Sequence, residues 1–133
     1  MPANTSPIFP LTPVVGIATL TAATAVTSRA NIVGNTGLVQ LTPTSTNGTR
    51  VDLITVNSKA TSVASIVDIW LNDGTTSFLI DEIVVTAVTA STTAPAFSTS
   101  KAYSNLVLPP TYRLFISEQV QTDLTVCAYG GTY

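Results

Sequence analysis

Three stretches of this chain alternate in side-chain character with a period of two, the period that a pleated strand imposes on a half-buried segment. Residues 50–57 (RVDLITVN) set Arg50, Asp52, Ile54 and Val56 against Val51, Leu53, Thr55 and Asn57. Residues 63–71 place Val63, Val67, Ile69 and Leu71 on one side and Ile66, Asp68 and Trp70 on the other. Residues 77–88 (SFLIDEIVVTAV) follow after Asn72-Asp73-Gly74, a turn sequence, so these last two stretches are predicted to pair as a hairpin. Shorter strands are predicted at 16–26, 31–33, 37–42, 96–103, 105–108, 112–117 and 124–129, with Gly130-Gly131 ending the last one. Turn residues or prolines separate them, Asn47-Gly48 being a strong hairpin signal. Nothing in the chain has the apolar spacing of a long amphipathic helix. The prediction is therefore an all-β fold, an antiparallel β-sandwich or jelly roll. The abundant threonine suits it, because a branched Cβ fits the pleat while the hydroxyl tolerates water.

The first fifteen residues read differently. Pro2, Pro7, Pro10 and Pro13 recur among Ile8, Phe9, Leu11, Val14 and Val15. Proline fixes φ and removes a donor, so this piece is predicted to be an extended, Pro-rich N-terminal arm, poorly suited to a sheet centre. The organisation expected is an arm over residues 1–15 and a single β-sandwich domain over 16–133. At 133 residues the domain is long enough to bury a core without disulfides. An extended arm must place its apolar side chains somewhere. Wrapping a partner is preferred to packing on its own domain, which makes Ile8, Phe9, Leu11 and Val14 the candidate partner-binding residues. The start is not read as a signal peptide, since it lacks a basic leader and its prolines break an apolar helix. No run approaches the ~20 apolar residues of a membrane-spanning helix, and no membrane partner is expected.

Composition narrows the chemistry. The chain has no histidine and one cysteine, and 9% of its residues are charged, against roughly 25% in ordinary domains. Acid–base work at neutral pH most often uses histidine, and Cys127 has no histidine to activate it. Between Val126 and Ala128, Cys127 reads as a buried small hydrophobe. Asp81 and Glu82 are neighbours on a strand and point to opposite faces, so they do not converge. Asp68 and Asp81 are placed across the hairpin from each other, and solvated or Arg-paired carboxylates are preferred to a catalytic pair. No enzymatic activity is expected. A calcium loop starting at Asp68 fails at Trp70 and at Leu79, where ligands are needed. Zinc lacks its ligands, and no phosphate loop or nucleophile elbow occurs. No cofactor is therefore expected. Arg29, Arg50, Lys59, Lys101 and Arg113 are scattered, so nucleic acid is not an expected partner. Arg50 is read as pairing locally with Asp52. Trp70, between Ile69 and Leu71, is read as core rather than as a ligand platform. Uncharged Thr, Ser and Ala surfaces repel one another little and desolvate cheaply, which favours a homo-oligomer or attachment to a larger assembly.

Four segments carry a resemblance: Asn4-Thr5-Ser6-Pro7-Ile8-Phe9, residues 46–54 (TNGTRVDLI), Asp73-Gly74-Thr75, and residues 108–114 (LPPTYRL). In this order the chain resembles small structural proteins of tailed bacteriophages, among them capsid decoration, or cement, proteins. The resemblance implies a virion protein on the outer capsid surface, made in the host bacterial cytoplasm. It also implies trimers that clamp the major capsid protein, with residues 3–15 gripping the shell or a neighbouring copy. The alternative is a tail or fibre component acting as a receptor- or carbohydrate-binding module, which needs an exposed cluster such as Trp70 with Tyr112 and Asp73.

Overall fold

The hairpin at Asn72-Asp73-Gly74 forms the middle of one of two antiparallel sheets. The computed structural model describes residues 12–20 and 25–133, and among these there are strands but no helix. The strands are β1 (Thr12–Leu20), β2 (Ile32–Val33), β3 (Val39–Gln40), β4 (Thr49–Ser58), β5 (Ser65–Asn72), β6 (Thr76–Val85), β7 (Ser98–Leu108), β8 (Arg113–Glu118) and β9 (Leu124–Thr132). Sheet A has the order β1-β9-β4-β7, and sheet B the order β2-β6-β5-β8-β3. Every pairing is antiparallel. The chain is all-β and sandwich-like, as the alternating segments predict.

The core lies between the sheets. Leu20, Ile54, Val56, Leu124 and Val126 from sheet A meet Val67, Ile69, Leu114 and Ile116 from sheet B, all without solvent exposure. Each such side chain contributes about 1.5–3 kcal/mol on burial, which makes this layer the main source of stability. At one side of the sandwich the sheets nearly touch: a Cβ on Gly16 of β1 would lie 2.1 Å from the Leu41 carbonyl oxygen, beside β3. At the other side a polar clasp joins them. Asp81 of β6 accepts bonds from Lys101 Nζ (2.6 Å) and Tyr103 Oη (2.7 Å) of β7.

Several predicted boundaries move. β1 runs unbroken from Thr12, so Thr12–Val15 of the predicted arm belong to sheet A; Pro13 is tolerated there because β1 is an edge strand. Residues 1–11 and 21–24 lie outside the described residues, and with them Ile8, Phe9 and Leu11. Residues 96–103 and 105–108, predicted as two strands, form the single β7, with an irregularity where Asn105 takes φ 66°. Gly130-Gly131 does not end β9. The strand continues to Thr132, and Gly130 is required inside it because a Cβ would stand 1.8 Å from the Arg50 carbonyl oxygen.

A bulge in the central hairpin has the largest consequence. Asn72 pairs with Ser77 and Trp70 with Leu79, a register that would set Asp68 opposite Asp81. The extra residue Ile80 shifts the rest by one, so Asp68 pairs with Glu82 and Asp81 turns inward to the clasp.

Candidate functional site

The outward face of sheet A carries three consecutive cross-strand rows without a single charge. Across β1, β9, β4 and β7 they read Val15–Tyr129–Leu53–Ala102, Ile17–Cys127–Thr55–Ser100 and Thr19–Thr125–Asn57–Ser98. Ile17 is 64% exposed, Val15 54% and Tyr129 40%. At a strand spacing of about 4.8 Å the uncharged patch covers roughly 300–400 Å², with its apolar side chains concentrated in the rows of Val15 and Ile17. The charges that flank it pair off: Arg50 with Asp52 through an Nε–Oδ1 contact of 2.6 Å at one end, and Lys59 with Asp123 at 3.5 Å at the other. Both pairs are well exposed, so they add little to stability.

The strands build this face because both of their rows are weakly polar. In β1, Ala18 and Leu20 turn inward and are buried, leaving Ile17 and Thr19 outside. Val14 has the inward parity and is half-buried, so among the described residues of the arm Val15 takes the outward place. Cys127, predicted to be buried, is partly exposed on this face between Ile17 and Thr55. Sequence reasoning passed over Ile17, Tyr129 and Thr55. The alternation gave the rows of each strand, but the strand order that lines them up is a tertiary fact.

The outward face of sheet B is polar and covered over Asp68, Trp70 and Asn72, and open at its far end, where Val84 and Val120 are exposed. Residues 25–38 leave the outer edge of β8, where Val26 N–H donates to the Glu118 carbonyl (2.9 Å). They reach β6, where the Arg29 guanidinium pairs with Glu82 and β2 joins the sheet. The Gly34 carbonyl accepts from Asn72 Nδ2 (3.2 Å) and Ser77 Oγ (2.8 Å) before the chain returns to β3. Beneath this strap Trp70 is fully buried, its Nε1–H bonded to Ser117 Oγ at 2.9 Å. Trp70 is thus interior, as its neighbours predicted, and does not form an exposed cluster with Tyr112 and Asp73.

Asp68 also lies there, with no solvent exposure. Gln119 Nε2 donates to its carboxyl (3.2 Å) and to Glu82 Oε1 (3.4 Å). Burial pushes the Asp68 acid up to about 6, and the Glu82 charge adds to the rise, against the pull of Gln119 and Arg29. The convergence of Asp68 with Glu82 was missed from sequence because it depends on the Ile80 bulge. Asp81 is held below the usual carboxylate range: burial alone would raise it, but Lys101, Tyr103 and its own bond from Glu82 N–H together outweigh that. Among the described residues no three His, Cys, Asp or Glu side chains converge as metal ligands, and no helix is long and apolar enough to cross a membrane.

Comparisons of the chain with protein-family models, with curated proteins and with solved structures found no match.

Proposed function

We propose that this chain is a structural virion protein that decorates a bacteriophage capsid and stabilises it by binding across capsid subunits and neighbouring copies of itself, as a trimer. The observation that carries the reading is the uncharged outward face of sheet A. A surface of Val15, Ile17, Tyr129 and hydroxyl-bearing rows loses little on desolvation and meets another neutral surface without repulsion. Its roughly 300–400 Å² is about half of the ~800 Å² per partner in a standard stable interface. One contact of this size is weak, and many copies fixed on one shell compensate through their number. The resemblance of four sequence segments to small structural proteins of tailed phages supports reading the shell as a phage capsid. The tail or fibre alternative relied on an exposed Trp70 and loses support from its burial.

The test is shell stability. Empty phage shells mixed with the purified chain are expected to withstand more guanidinium than bare shells, with the gain saturating at a fixed number of copies per capsid subunit. Shells whose resistance and mass are unchanged by an excess of the chain would contradict the proposal.

A further inference from the structure

We propose that residues 25–38 are a proton-operated cover, closed over Trp70 while Asp68 holds a proton and loosened when Asp68 ionises. Asp68 and Glu82 are direct cross-strand partners on the outward face of sheet B, and Gln119 Nε2 donates to both, at 3.2 and 3.4 Å. The groups facing Asp68 are Glu82 from β6, Ser117 from β8, Gln119 after β8 and Arg29 from the cover. Among the described residues Arg29 is the cation of this set. While Asp68 is neutral, Arg29 has Glu82 alone to pair with. Once Asp68 ionises, it adds a second negative charge beside that pair, at a position closed to solvent.

The cover is built to yield first. Most of its residues are exposed, and it adds a two-residue strand to β6. Its described anchors are the Val26–Glu118 and Gly34–Thr75 backbone bonds, the β2–β6 pairing, the Gly34 carbonyl with Asn72 and Ser77, and the Arg29–Glu82 pair. Its two limbs touch where a Cβ on Gly37 would meet Val26 Cγ2 at 3.3 Å. Few buried contacts and exposed backbone bonds mark a segment that opens before the core does. Opening rehydrates Asp68 and returns its acid from about 6 toward its ordinary value of 3.8. The closed form therefore binds the proton more tightly, so acid closes the cover and a rise through pH 6 favours opening, by at most about a hundredfold.

Trp70 is the sole tryptophan of the chain and reports on the cover directly. The experiment is acrylamide quenching of its emission in the full chain from pH 4.5 to 8. The quenching constant is expected to rise several-fold with a midpoint near pH 6. Asp68→Asn, which keeps the shape of the neutral acid, is expected to remove the rise and keep Trp70 protected throughout. Glu118→Gln, which removes the other buried acid near the cover, is expected to leave the rise in place. Arg29→Gln is expected to move the midpoint to higher pH, and serves if Asp68→Asn does not fold. A flat wild-type profile, a rise that survives Asp68→Asn or disappears in Glu118→Gln, or a midpoint unmoved by Arg29→Gln would overturn the proposal.

Discussion

Glu118 sits at the end of β8 on the core side, opposite Val67, with no solvent exposure. Thr122 N–H donates to its Oε2 at 3.0 Å, while Oε1 has no partner among the described residues. Burial pushes this acid from 4.5 up to about 7. A carboxyl whose folded-state value is raised holds more protons folded than unfolded. Its contribution is therefore complete in acid and is lost as pH rises from about 4.5 through about 7. Asp68 acts in the same direction between about 4 and 6. The chain is expected to have a higher urea midpoint at pH 5 than at pH 7.5. Glu118→Gln should raise the pH 7.5 midpoint by about 1–2 kcal/mol in stability and flatten the slope between pH 5 and 7.5. An unchanged slope in that variant would place the proton elsewhere. Nothing in the sequence marks Glu118, whose pattern in YRLFISE is that of an ordinary solvated strand end. Trp70 was legible, because large apolar neighbours on both sides of a strand residue usually mean a covered face.

At the scale of the element, alternation and turn chemistry located most strands, and the Asn72-Asp73-Gly74 hairpin to within a residue or two. Asp73 shows why such a turn is readable: its Oδ1 accepts from Thr75 N–H (2.9 Å) and Thr76 N–H (2.8 Å), a local bond set that needs no tertiary partner. What stayed hidden were the irregularities. The Ile80 bulge exchanges Asp81 for Glu82 opposite Asp68, and no local pattern announces it. Gly130 misled for a related reason. Glycine near a strand end usually terminates it, whereas here it lets β9 pass against the Arg50 carbonyl. Gly130→Ala is expected to destabilise the fold by at least about 2 kcal/mol, since the obstacle is backbone rather than a movable side chain. Chemical denaturation measures it, and a loss below about 0.5 kcal/mol would mean that β4 and β9 separate more easily than their register implies.

For the whole molecule, low charge and high threonine content pointed to association before any strand was placed. The surface that expresses it was not legible, because the sequence analysis assigned partner contact to Ile8, Phe9, Leu11 and Val14. Of these, the first three lie outside the described residues and Val14 faces inward. Sheet A instead gathers Val15, Ile17 and Tyr129 from strands more than a hundred residues apart in the chain. The clasp of Asp81 with Lys101 and Tyr103 directs charges of both sheets inward at the open side of the sandwich, which discourages strand-to-strand aggregation there and leaves the neutral face for contact.

The most direct measurement is co-sedimentation of Thr55→Lys with empty phage shells beside the wild-type chain. Thr55 stands in the middle row, between Cys127 and Ser100, on the outward side of β4. A lysine there costs the fold no more than about 1 kcal/mol and sets an unpaired charge in the contact. The variant is expected to remain folded and to bind shells at least tenfold more weakly; a variant that saturates them at the wild-type concentration would contradict the account.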